Sequence, residues 1–225
     1  HLSLVAAGVG LVAPLAQCCR GILVNSEFAR RLLLLDLPPE AHHPPIHVLP
    51  PACPPVRTRE TPRFTGQDQW VVAFGVVSWS KRPDLLVDAV ALAGCQLAFV
   101  GPCPPFLAAF IQGRARIRGI EHRVEVTDAV DENGWRQWMD RATLAVQLRE
   151  SGSGETSAAL LEALAAGLPI LTNLASAAEY PEGSVSMVSS PEPEVVAARI
   201  SGLLGSRADL LALTERSQEF AAHHQ

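Results

Sequence analysis

Positive charge is scarce in this chain of 225 residues: 18 Lys and Arg stand against 23 Asp and Glu, a formal net charge of −5. Proteins that grip nucleic acid or an anionic bilayer carry a basic surplus, so nucleic acid is not an expected partner and membrane contact is at most peripheral. Aromatic residues are also few, at 5%, but 48% of the chain is hydrophobic, which is enough to bury a core and excludes a disordered chain. The five cysteines (Cys18, Cys19, Cys53, Cys95, Cys103) are odd in number and contain no CxxC pair. They read as reduced thiols of a cytoplasmic protein rather than a disulfide frame or a zinc site. His42, His43 and His47 lie among prolines and His223 and His224 near the chain end, with no carboxylate at ligand spacing, so no metal site is expected. No apolar run reaches the ~20 residues that span a bilayer. The uncharged stretch Leu2–Ala16 has no basic residues before it, unlike a signal peptide, and Gln17 before Cys18 departs from a lipoprotein cleavage box; a buried helix is expected. The chain starts at His1 rather than Met, and at ~150 residues per domain its length covers one and a half domains, so a fragment or a processed chain is expected.

What is present is a regular alternation. Residues 21–25 read as a strand and 27–35 as a helix. Nine prolines between Pro38 and Pro62 leave room for one extended piece, Ile46–Leu49, and mark a domain boundary, since proline denies both helix and ladder hydrogen bonds. From there the expected order is strand Trp70–Val77, helix Pro83–Ala93, strand Gln96–Val100, helix Phe106–Gln112, strand Arg123–Thr127, helix Asp131–Arg141, strand Thr143–Leu148, helix Ser157–Ala166, strands Pro169–Asn173 and Ser184–Val188, and helices Glu192–Leu204 and Ala208–His223. Continuous apolar strands alternating with helices imply βαβ units, a parallel sheet and a Rossmann-like, doubly wound α/β domain over about 64–205. Ligands of such sheets bind at the carboxyl ends of the strands, so the following loops are where chemistry is expected.

Three loops stand out. After the first strand of the series, Gly75 lets a ligand approach the backbone, Ser78 offers a hydroxyl, and Lys81 supplies a point charge for phosphate. After the second, Gly101 opens the stiff turn Gly101-Pro102-Cys103-Pro104-Pro105. After the strand ending at Leu148 comes Arg149-Glu150-Ser151-Gly152-Ser153-Gly154-Glu155-Thr156-Ser157. Thr156 or Ser157 can cap the next helix, whose first-turn N–H groups form an anion site. Glu162 follows where a carboxylate can meet ribose hydroxyls. No GxxxxGK[ST] and no GxGxxG is present, which argues against a Walker NTPase and a dinucleotide dehydrogenase. The missing Gly-x-Ser-x-Gly elbow argues against an α/β hydrolase. Asp128, Asp131 and Glu132 surround a helix start and read as caps.

In order and spacing, these segments resemble the carboxyl-terminal half of a GT-B glycosyltransferase of the large retaining family four. Val24-Asn25-Ser26-Glu27-Phe28 looks like a late strand of that family's amino domain, and Ile46-His47-Val48-Leu49-Pro50 like the approach to its interdomain linker. The run from Phe74-Gly75 to Lys81-Arg82-Pro83 is similar to its phosphate-binding segment, and Leu97-Ala98-Phe99-Val100-Gly101 looks like its second strand and turn. The run from Gly154 to Pro169 resembles its glutamate-x7-glutamate block. The resemblance implies a GT-B architecture: residues 1–50 the tail of an acceptor domain whose remainder is missing, 51–63 a linker, 64–205 a donor domain and 206–225 a terminal helix. It implies retaining transfer from a UDP- or GDP-sugar to a glycan, lipid-linked sugar or small molecule, with no metal and no cofactor beyond the donor substrate. Lys81, Glu155 and Glu162 are the implied catalytic set. Gly75, Ser78, Gly101, Arg149, Gly154, Thr156 and Ser157 join Lys81 and Glu162 around the donor. Two positions depart from the pattern. Val76 stands where the family often has Arg, and Gly154 where it has its first Glu, with Glu155 one place later; Arg149 could supply the missing charge. A non-catalytic nucleotide-sugar module and a sugar-nucleotide epimerase are alternatives on the same fold. The chain by itself is expected to hold a donor without transferring its sugar.

Overall fold

The computed structural model describes residues 12–38, 42–57, 69–150, 157–173, 180 and 183–224. They fall into two compact units, one ending at Ala52 and one beginning at Cys53.

The first unit is a single βαβ turn of chain. It contains α1 (Val12–Cys18), β1 (Ile22–Val24), α2 (Glu27–Asp36) and β2 (Ile46–Val48), with β1 and β2 parallel and Ile22 opposite Ile46. Ser26 starts α2: its Oγ accepts from the Ala29 amide at 3.0 Å. Most of the buried helix expected over 2–16 lies outside the described residues; in its described part, α1, only Ala16 is buried and Leu15 is 62% exposed. A helix of seven residues beside a two-stranded sheet has one narrow face to bury.

The second unit is the doubly wound domain. Its strands are β3 (Trp70–Phe74), β4 (Gln96–Val100), β5 (Val124–Val126), β6 (Ala142–Gln147), β7 (Ile170–Asn173) and β8 (Ser186–Val188). They form one parallel sheet in the order β5-β4-β3-β6-β7-β8. Chain order therefore reverses between β3 and β6, and the crevice between their carboxyl ends is the topological switch point where ligands of such sheets bind.

The central strands β3, β4, β6 and β7 are buried on both faces, which is why they are largely apolar without alternation, whereas Glu125 of β5 and Met187 of β8 at the two edges are exposed. Val71 and Ala73 of β3 join one buried cluster with α3 (Pro83–Ala93), α4 (Pro105–Ile117) and α7 (Pro193–Gly205). Trp70, Val72 and Phe74 join the other, with α5 (Glu132–Arg141) and α6 (Ala158–Ala165). The last helix, α8 (Arg207–His223), serves both clusters: Leu210 and Leu213 enter the first and Ala221 the second. Expected and observed elements agree in kind and order. β3 stops three residues earlier than expected because Gly75 turns out at φ +88°, and α4 runs on to Ile117 because Gly113 is not among the glycines at positive φ and does not break the helix.

Part of the Pro-rich stretch is held against the second unit. The Cys53 amide donates to the His224 carbonyl at 2.7 Å and the Arg57 amide to the Ala165 carbonyl at 2.8 Å. The intervening Pro54 and Pro55 have no N–H to satisfy, so the flanking residues carry these bonds. All five cysteines are free thiols, with Cys53, Cys95 and Cys103 buried. Among the described residues no helix is long and apolar enough to cross a membrane.

Candidate anion site at the sheet switch point

The site is built around the end of β3. Gly75 holds φ +88°, and a Cβ there would stand 3.1 Å from Lys81 Nζ and 3.4 Å from the Ala159 Cβ. The missing side chain lets a lysine ammonium and the first turn of α6 share one small space. Lys81 ends a single 3₁₀ turn, Trp79–Lys81, and folds back so that Nζ donates to the Phe74 carbonyl at 3.0 Å. Burial, and then the positive charge of Arg149, push the Lys81 ammonium down to about 8. An ammonium lowered by burial at the end of a central strand is a place where an anion would restore the charged form.

Gly101 shapes this space from behind. At φ +134°, a Cβ on it would lie 2.7 Å from the Gly75 carbonyl oxygen. The Gly75 amide donates to the Val100 carbonyl at 2.9 Å, so the two turns lie flush. The structure thus gives Gly101 a packing role against Gly75. Ser78 bonds Ser80 between their hydroxyls at 2.8 Å.

The opposite wall comes from β6 and α6. Ser157 is the N-cap of α6, its Oγ accepting from the Leu160 amide, and Ala159 in the first turn of that helix lies beside Gly75. The Glu150 amide donates to the Ser80 carbonyl at 2.9 Å and so ties the loop after β6 to the loop after β3. Of the expected site residues, Gly75, Lys81, Gly101, Arg149 and Ser157 are thus gathered around one crevice. Gly154, Glu155 and Thr156 lie outside the described residues.

Glu162, one turn further along α6, is engaged: its Oε2 accepts from the Trp135 indole N–H at 2.6 Å. Trp135 and Glu162 border a cleft of about 160 Å³ with Met139, Ala165 and the Pro54–Arg57 segment. The three acids read as caps do local work. Asp131 accepts from the Gly134 amide at 2.8 Å at the start of α5, Asp128 accepts from the Cys103 amide at 3.1 Å, and Glu132 pairs with Arg136.

Three residues escaped sequence reasoning. Asn173 clamps the Arg149 backbone from both sides, its Oδ1 accepting from the amide at 3.0 Å and its Nδ2 donating to the carbonyl at 2.7 Å. Gln147 is 2% exposed; its Oε1 accepts from Ser157 Oγ at 3.1 Å, and its Nε2 has no hydrogen-bond partner among the described residues. Both are polar residues at the ends of otherwise apolar strands, and that was the available signal. Trp135 gave none, because a tryptophan on an amphipathic helix reads as core.

A family model described as glycosyl transferases group 1 matches residues 68–206. No curated protein matches the chain. Among solved structures, the chain is similar to WaaG, a glycosyltransferase involved in lipopolysaccharide biosynthesis, with a TM-score of 0.70 and 19% identity over 89% of this chain and 58% of that one. It is similar to Anabaena HepE in complex with UDP and glucose, with a TM-score of 0.78 and 14% identity over 100% of this chain and 63% of that one. The C-terminal domain of the group 1 family protein LpcC from Francisella tularensis is similar at a TM-score of 0.63 and 11% identity, over 75% of this chain and 94% of that one. The chain therefore spans 58% and 63% of the lengths of WaaG and HepE.

Proposed function

The chain belongs to the glycosyl transferases group 1 family, and from that premise we propose that it binds a nucleotide-diphosphate sugar at the β3–β6 crevice as the donor-binding part of an enzyme that transfers the sugar, with retention, to a glycan, lipid-linked sugar or small-molecule acceptor. The observation that carries this reading is the meeting of Lys81 with the start of α6 across Gly75. A cation and a helix N-terminus aimed at one point stabilise the charge that develops on a leaving diphosphate, the main electrostatic task of such a transfer. In this reading Lys81, with Arg149, holds the diphosphate. The first-turn amides beyond Thr156 and Ser157 hold its distal phosphate. Glu162 accepts from the ribose hydroxyls, and Gly154-Glu155 meets the donor sugar. A phosphate oxygen of the donor takes the acceptor proton, so the scheme requires no protein base. HepE has been crystallised with UDP-glucose, which supports a nucleotide-sugar donor here.

Calorimetric titration with UDP- and GDP-sugars tests this. Lys81→Ala should weaken binding about 10- to 100-fold, as expected for a lost charged hydrogen bond of about 1.5–3 kcal/mol. Wild-type affinity in that variant rules out the site. Binding with neither transfer nor donor hydrolysis by the full-length protein across an acceptor panel would identify a binding module instead, and sugar interconversion without acceptor an epimerase.

A further inference from the structure

The geometry points to Trp135 as a positioning residue that sets the Glu162 carboxylate for the ribose of the bound nucleotide; the inference rests on the donor-site reading above. A glutamate side chain on a helix has three rotatable bonds, and a half-exposed one samples several rotamers. Glu162 is held at one oxygen: Trp135 Nε1 donates to Oε2 at 2.6 Å. Among the described residues no second hydrogen bond reaches the carboxylate, so Oε1 keeps its acceptor capacity for a ligand hydroxyl. A bond from a charged acceptor to a rigid ring is short and directional, so it fixes the carboxylate plane as well as its place.

The ring that donates is itself fixed. Its edge meets the Phe74 ring with centroids 5.1 Å apart and planes at 62°. The Phe74 carbonyl in turn receives Lys81 Nζ at 3.0 Å. The last residue of β3 therefore locates both proposed anchors of the nucleotide, Lys81 through its carbonyl and Glu162 through its ring and Trp135. The spacing between a diphosphate and a ribose diol is set by covalent chemistry, and a shared reference point keeps the two protein anchors at a matching spacing without a direct link between them.

Trp135→Phe keeps an aromatic ring beside Phe74 and removes the N–H donor together with part of the indole's volume. Affinities of the full chain for UDP, GDP, their 2′-deoxy counterparts and inorganic pyrophosphate are measured in the wild type, Trp135→Phe and Glu162→Ala. The expected result is a ribose-over-deoxyribose preference of about tenfold or more in the wild type. Glu162→Ala abolishes the preference, and Trp135→Phe cuts it to within about threefold with pyrophosphate affinity unchanged. A wild-type preference in Trp135→Phe overturns the inference, as does an equal loss of pyrophosphate and nucleotide affinity, which marks a general structural role. An unchanged preference in Glu162→Ala instead sinks the ribose role of Glu162 and, with it, this inference. If Trp135→Phe does not fold, the indole N–H spectrum of the wild type and Glu162→Gln decides. One of the four tryptophan signals must move strongly when the carboxylate becomes an amide, and four unmoved signals overturn the assignment.

Discussion

At the scale of single residues, Lys81 carries the clearest pH signature. Its ammonium is pushed down to about 8, first by burial and second by Arg149. The unfolded chain, with an ordinary lysine, binds more protons than the folded one between about 8 and 10.5, so stability of the ligand-free protein rises with pH across that window and is flat below it. A bound diphosphate favours the charged form, so binding above pH 8 takes up a proton and affinity falls as pH rises through about 8. Calorimetry in buffers of different ionisation enthalpy reads that proton, and Lys81→Met should remove it. Gly101 is the second case. Gly101→Ala places a Cβ 2.7 Å from the Gly75 carbonyl oxygen, against backbone that cannot rotate away. A loss of about 1–3 kcal/mol in stability is expected from the forced shift, together with weaker nucleotide binding because Gly75 lines the Lys81 site; denaturant melts and titrations check the two effects separately. That Lys81 and Gly75 share one strand-end loop was legible in the sequence, since they stand six positions apart; that Nζ folds back over Gly75 to the Phe74 carbonyl was not. The Trp135–Glu162 bond was not legible, because it joins residues 27 positions apart on two helices.

At the scale of elements, the pair α3 and α4 is joined by a buried charge cluster. Asp88 of α3 is 4% exposed and receives Arg114 at 2.8 and 2.6 Å and Arg118 at 2.9 and 2.8 Å, both bidentate. Burial by itself raises the Asp88 carboxyl, but the hydrogen bonds of the two guanidiniums outweigh it and hold the group below the usual carboxylate range. The contribution of Asp88 is therefore present above the ordinary carboxylate pKa of about 3.9 and is lost as pH falls through the depressed value. Asp88→Asn should cost about 1–3 kcal/mol at neutral pH by removing the charge and replacing one of the two acceptor oxygens with an NH2 donor that faces two guanidiniums. It should also flatten the acid limb of the melting-temperature curve, measured by thermal denaturation from pH 7 to 3. Elements were the most legible level of the sequence. Continuous apolar runs, Pro83 at a helix start and Gly94 at its end carry local physics that needs no partner. The bond network of Asp88 was illegible because it depends on α3 and α4 packing side by side on one sheet face.

At the scale of the molecule, α8 closes the second unit by reaching both cores. Leu210 is fully buried in one, and at the far end the Cys53 amide bonds the His224 carbonyl beside Ala221 of the other. The helix is an integral part of the fold: Leu210→Ala should cost about 2–5 kcal/mol in urea denaturation. A loss below about 1 kcal/mol, typical of a surface change, would mean that α8 is peripheral. The same arrangement explains why the Cys53–Arg57 segment, read from its prolines as linker, hydrogen-bonds to α6 and α8.

The sequence by itself determined the alternation of elements, the parallel doubly wound class and the loops that carry the site, because each rests on short-range rules: apolar continuity, caps and strand-end glycines. Tertiary structure decided what those loops do together. Strand order placed the crevice between β3 and β6, brought Lys81 over Gly75 against α6, and turned Glu162 toward Trp135. These contacts join residues far apart in the chain, and their energies depend on burial and distance, quantities that exist only once the sheet has closed. The opening shortage of positive charge is answered there. Where Lys and Arg are few, the fold sets Lys81 close enough to Arg149 to feel its charge and beside the first turn of α6, and the proposed anion site draws on that local arrangement rather than on the net charge.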